Sequence, residues 1–223
     1  MKAAAVVGID VGGPRKGYHA VALVDGRYAA QCHACDPAEI VGWCLDLGAR
    51  HVGVDAPCRW SRDGRRRPAE AALQAAGIAC FASPTRDAAV AHEAAAQQRQ
   101  RAGWYGWMFE GERLYRSLLA HYALYTGVRD VPRCCFETFP QAVACALAGR
   151  IVSARQKRRV RRELLTRAGV DIRALTNIDK VDAALCALAA QRFAEGRFSG
   201  YGDADDGFVI VPDAALPADQ IAR

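Results

Sequence analysis

Val7-Gly8-Ile9-Asp10 and Val52-Gly53-Val54-Asp55 write one four-residue pattern twice. The first closes an apolar run, Ala4 to Asp10, that is rich in β-branched residues and bounded by Gly12-Gly13-Pro14; the second is closed by Pro57. Short apolar runs bounded by such residues read as buried strands, each here ending in a carboxylate. A third run, Cys134-Cys135-Phe136-Glu137, also ends in an acid and is followed by Pro140.

Outward from these runs, His19 to Val24 and Arg27 to Cys32 flank Asp25-Gly26, a strong hairpin signal. Asp36 then caps a helix that has Pro37 in first position, runs through about Leu47 and ends at Gly48. Residues 58–132 are too long for a plain crossover and read as a helical insertion or cap, with helices over Pro68 to Ala76, Thr85 to Gln100 and Glu110 to Tyr125. Between the last two lies Trp104-Tyr105-Gly106-Trp107-Met108-Phe109, aromatics that either stack on bases or pack helices. A basic helix from Ala154 to Ala168, a helix from Lys180 to Ala194 that is apolar on almost every face, and a late strand, Phe208 to Val211, complete the chain. The expected fold is α/β: a mixed five-stranded sheet of three antiparallel then two parallel strands, helices on both faces, one domain over residues 1–223.

With 52% hydrophobic and 24% charged residues among 223, the composition excludes a disordered or collagen-like chain. No apolar run reaches the roughly 18 residues of a membrane span, and Asp10 interrupts the apolar start before a signal-peptide core forms. A soluble, cytoplasmic protein is expected. Nine cysteines, an odd number scattered over apolar stretches, read as reduced thiols; Cys32-His33-Ala34-Cys35 lacks the second pair that zinc would want.

The net charge of +6 is segregated. From Arg150 to Arg173, nine basic residues face Glu163 and Asp171, a local +7, and the knot from Arg59 to Arg67 adds +4, so the remainder is acidic at −5. Segregated positive charge attracts polyanions, which makes nucleic acid the leading partner class against the alternative of solvated helix faces.

If helical crossovers make the second and third runs parallel to the first, Asp10, Asp55 and Glu137 meet at one edge of the sheet. Such acids raise one another's pKa unless a cation neutralises them, and hard oxygen ligands suit Mg²⁺ or Mn²⁺, with two ions as the expected arrangement. The last helix offers Asp182 as a further ligand and Asp179 as either its N-cap or a ligand. Glu137 lies outside the repeated pattern, and Thr138 is available to cap the helix that follows. The Gly12-Gly13 loop reads as a phosphate cradle or as a tight turn.

Gly8-Ile9-Asp10-Val11-Gly12-Gly13 with Arg15-Lys16-Gly17, Val54-Asp55-Ala56-Pro57-Cys58, Arg67 and Glu70 before Gly77-Ile78-Ala79-Cys80-Phe81, Glu137-Thr138-Phe139-Pro140 and Ile178-Asp179-Lys180-Val181-Asp182-Ala183-Ala184-Leu185-Cys186-Ala187 recur in order along nearly the whole chain. In these it resembles the predicted ribonuclease-H-like nuclease family catalogued as domain of unknown function 429. The resemblance implies a ribonuclease-H-like fold and a metal-dependent nuclease activity. The leading expectation is a phosphodiesterase on DNA or RNA. Asp10, Asp55, Glu137 and Asp182, with Asp179, would hold Mg²⁺ or Mn²⁺, and Lys16, Arg67, Lys157, Arg158, Arg161 and Lys180 would bind the substrate backbone. Two alternatives stand beside it: a relative of actin-like ATPases and sugar kinases that binds nucleotide, and a non-catalytic nucleic-acid-binding module.

Overall fold

The structure is a computed structural model that describes residues 4–128 and 131–213. The repeated pattern forms two neighbouring parallel strands, β1 (Val6–Val11) and β4 (His51–Asp55). The hairpin forms as expected at Asp25-Gly26, both with positive φ, joining β2 (Tyr18–Val24) to β3 (Arg27–Ala34). Helix α1 (Pro37–Asp46) then crosses over; Asp36 caps it by accepting from the Ala38 amide.

The sheet is larger than the five strands expected. Besides β1 to β4 it contains β5 (Ala123–Leu124), β6 (Cys134–Thr138), β7 (Phe198–Asp203) and β8 (Gly207–Pro212). The strand order is β3-β2-β1-β4-β6-β8-β7, with β5 also paired to β6. Strands β1, β4, β6 and β8 run parallel to their neighbours, whereas β1 with β2, β2 with β3 and β7 with β8 are antiparallel. Two of the additional strands lack the apolar runs that reveal buried strands: β5 has two residues, and β7 is a sheet-edge strand of Phe-Ser-Gly-Tyr-Gly-Asp.

Residues 58–132 hold α2 (Pro68–Ala75), α3 (Arg86–Gln98) and α4 (Gly106–Leu118) as well as β5. Helix α4 begins four residues earlier than the sequence suggests and stops at Leu118. Its buried Met108, Gly111, Leu114, Tyr115 and Leu118 follow helical spacing and join α1 in covering one face of the sheet. This part of the insertion is therefore a structural layer, while α3 buries only Ala89.

Over the other face lie α5 (Pro140–Ala148), α6 (Lys157–Arg167), preceded by a 3₁₀ turn at Ala154–Gln156, and α7 (Ile178–Ala194). Phe139 rather than Thr138 occupies the N-cap of α5, and the Thr138 hydroxyl instead donates to the Ile210 carbonyl at 2.7 Å, tying β6 to β8. Helix α7 is the central element of this face. Gly8 and Gly53 are register partners beneath it, and a Cβ on Gly8 would stand 2.0 Å from the Ala187 nitrogen and 2.1 Å from the Ala183 oxygen; on Gly53 it would lie 2.8 Å from the Cys186 oxygen. Alanines 183, 184, 187 and 190 are fully buried, so small residues on both sides let helix and sheet backbones approach. Among the described residues no helix is long and apolar enough to cross a membrane.

Gly8→Ala should lower stability by roughly 3 kcal/mol or more, because rigid backbone occupies the new methyl's place; that corresponds to a fall in Tm of roughly 6–12 °C. Gly42→Ala, inside α1 with nothing within 4 Å of the new Cβ, should raise stability by roughly 0.5–1 kcal/mol. Thermal unfolding of the two variants checks the contrast.

Candidate functional site

Strand alternation and the two glycines fix where the acids point. Gly8 and Gly53 face α7, so Asp10 and Asp55, two residues farther along each strand, face it too, and they are direct register partners. Asp10 also pairs with His19 on β2, and His19 with His33 on β3, so His33, His19, Asp10 and Asp55 form one row across four strands. The turn joining β1 to β2 closes through a bond from the Lys16 amide to the Gly13 carbonyl, with Pro14 next after Gly13. Gly12 and Gly17 amides bond within the same turn, so these three amides are not free to cradle a phosphate. On the other side of β4, the Tyr115 hydroxyl of α4 donates to the Ala56 carbonyl, fixing the residue after Asp55.

Helix α7 brings Asp179 and Asp182 to this row. Its N-cap is Asn177, whose side chain accepts from the Lys180 amide, and not Asp179. Asp179, released from capping, lies 3.4 Å from Lys16 Nζ and 3.7 Å from His19 Nε2. Asp182 is 6% exposed and paired with Arg161 of α6, which also donates to Gln141.

Glu137 is out of phase with the aspartates. It is the register partner of Val54, while its neighbour Phe136 packs on Phe193 of α7 at 4.6 Å, so its side chain leaves the sheet on the other face. There Arg67 grips both carboxylate oxygens at 2.6 and 2.9 Å, the Cys58 amide donates to one of them, and Glu70 takes the Arg67 Nε. The structure thus gives Glu137 and Arg67 to each other, whereas the sequence suggested a ligand and a substrate contact.

The other basic candidates divide similarly. Arg161 is buried on Asp182, and Arg162 donates to the Ile172 and Leu175 carbonyls. Lys180 contacts Thr176, and Lys16 contacts Asp179. Lys157 and Arg158 are exposed and their side chains make no ion pair or hydrogen bond among the described residues. In the first basic knot, Arg62 pairs with Asp206, Arg65 with Asp63, and Arg66 donates to the Cys80 carbonyl.

Asp10 and Asp55 remain uncompensated: neither carboxylate accepts a hydrogen bond or pairs with a cation among the described residues. Burial, then repulsion from Asp55, Asp182 and Asp179, pushes Asp10 well above the usual carboxylate range. Asp55 is pushed up to about 8, chiefly by burial and by Asp182, against the pull of Arg161 and Lys157. Burial raises Asp182 as well, in spite of Arg161. Burial and then His33 lower His19, so its imidazole is neutral near pH 7, with Nδ1 buried and unpartnered among the described residues. His19 was not singled out in the sequence; the signal was the Gly13-Pro14 turn, which sets residue 19 opposite residue 10.

Among the described residues no cluster of three or more His, Cys, Asp or Glu side chains is arranged to hold a metal. Two adjacent carboxylates with unused oxygens nonetheless fit Mg²⁺ or Mn²⁺, since such ions commonly take one or two carboxylates and complete their shell with water and substrate phosphates. A family model described as Protein of unknown function (DUF429) matches residues 8–206. No curated protein and no solved structure matches the chain.

In chelator, stability should fall as pH rises from about 4 to about 8: the folded protein retains the Asp55 proton over an interval in which the unfolded carboxyl, at 3.8, has lost it. Asp55→Asn should flatten this slope and raise Tm at pH 8. Urea unfolding across the range is the measurement; parallel profiles for both proteins would remove the premise of a strained acid pair.

Proposed function

We propose that this chain, which belongs to the DUF429 family, is a metal-dependent phosphodiesterase acting on nucleic acid. The observation that carries the reading is the pairing of Asp10 with Asp55, two half-buried carboxylates side by side with no hydrogen bond or ion pair of their own among the described residues. A protein retains so unfavourable a pair where a ligand relieves it. The order β3-β2-β1-β4-β6, three antiparallel strands followed by two parallel ones, also supports a ribonuclease-H-like arrangement, to which β8 and β7 are added at one edge.

Asp10 and Asp55 are the residues that would hold Mg²⁺ or Mn²⁺. Such an ion supplies Lewis acidity toward a phosphodiester and makes water acidic enough to attack near neutral pH. The surrounding side chains have separable tasks. Arg161 holds Asp182 in place, and a second ion would require that pair to open. Lys16 orients Asp179 beside the row, and neutral His19, with Nε2 turned toward Asp179, can take up a proton. Lys157, which draws down the pKa of both Asp55 and Asp182, and its neighbour Arg158 are cations available to backbone phosphates.

Purified protein should cleave DNA or RNA with Mg²⁺ or Mn²⁺ and not in EDTA. Asp10→Asn should abolish cleavage while leaving Tm unchanged or higher, since it removes a repelling charge. Activity that persists in EDTA, or in the variant, would overturn the assignment. Replacing Lys157 and Arg158 together by Gln should weaken substrate binding and flatten its dependence on salt by roughly one to two units of log–log slope.

A further inference from the structure

The space beside Asp55 continues beyond what hydrolysis requires. A cavity of about 80 Å³ lined by Asp55, Phe81, Ser83, Trp107, Glu137 and Phe139 opens beside a groove of about 460 Å³ that shares Asp55, Phe81, Trp107 and Phe139. Three aromatic rings, Phe81, Trp107 and Phe139, line both spaces, and the paired Arg67 and Glu70 share the cavity wall. Phe81 is 40% exposed, an unfavourable position for a large apolar ring, and its centroid lies 6.5 Å from that of Trp107 with the planes 68° apart, an edge contact that leaves much of the Phe81 ring open to solvent. Tyr105 flanks Phe81 at 5.9 Å. Within the cavity Ser83 is 1% exposed, and its hydroxyl has no hydrogen-bond partner among the described residues.

A buried hydroxyl without a partner beside a solvent-exposed aromatic ring fits a flat π-system with a polar edge. Lys157, exposed and close enough to Asp55 to act on it electrostatically, favours an occupant that arrives attached to phosphate. A nucleobase meets both conditions, but only if unpaired, because bases inside a duplex are already stacked and hydrogen-bonded. We propose that the substrate is single-stranded at the cleavage site, and that one unpaired base stacks in this cleft against Phe81 and Trp107 with its polar edge toward Ser83. The inference rests on the phosphodiesterase reading for its place beside the acids, and its test separates the two.

Binding is measured by fluorescence anisotropy in EDTA, where cleavage is absent, using a single-stranded oligonucleotide of about 12 nucleotides, its abasic counterpart and its duplex. The base-bearing single strand should bind best. Phe81→Ala should weaken that binding roughly 5- to 100-fold without changing affinity for the abasic strand, and Phe81→Tyr should restore it. Ser83→Ala should alter preference among oligonucleotides of different bases. Equal affinity for base-bearing and abasic strands, or indifference to Phe81→Ala, would overturn the base cleft. Base-dependent binding with no Mg²⁺- or Mn²⁺-dependent cleavage would retain the cleft and overturn the phosphodiesterase; equal cleavage of single and double strands, unaffected by Phe81→Ala, would do the reverse.

Discussion

The architecture depends on the distance at which α7 lies from β1 and β4. Gly8 and Gly53 are opposite each other in the sheet, and either side chain, were it one carbon larger, would meet the helix backbone. This close approach also places the acids. Two residues on, Asp10 and Asp55 emerge from the same face, and the first turns of α7 bring Asp179 and Asp182 toward them. Packing and electrostatics are thus joined: the contact that buries the alanine face of α7 is also what concentrates negative charge at the strand ends.

The distribution of cations shows which of these charges the fold neutralises itself. Arg161 is given to Asp182, Lys16 to Asp179, and Arg67 to Glu137 with Glu70. Each is an acid at the margin of the row or on the far face of the sheet. The central pair has none, and its desolvation is paid for by the rest of the fold. Several arginines that make the chain look strongly basic are therefore structural, and the surface available to a polyanion is narrower than the net charge implies.

Much of this was legible in the sequence because it rests on short-range rules. The repeated Val-Gly-β-branched-Asp run disclosed two strands and their terminal acids, Asp25-Gly26 the hairpin, and Asp36-Pro37 the start of α1. What escaped depends on phase and on partners remote in the chain. Glu137 ends an apolar run as Asp55 does, yet a shift of one residue in pairing sends it through the opposite face. Asp179 looked like a cap because the better-placed Asn177 lies only two residues earlier. Arg161 reads as one more charge in a basic helix; only the tertiary fold shows it buried. Strand β7, polar and glycine-bearing, takes its conformation from pairing with β8 and not from its own propensity.

The place of α7 near the end of the described chain bears on how the protein is made. Synthesis proceeds from the N-terminus, so β1 and β4 leave the ribosome long before the helix that covers them. Until residues 178–194 emerge, the glycine saddle and its two aspartates have no roof, and β6 still awaits β8 along part of its edge. At roughly 5–20 residues per second, that interval lasts roughly 7–28 s, during which the nascent chain presents an open, half-built sheet to whatever chaperones attend the exit tunnel.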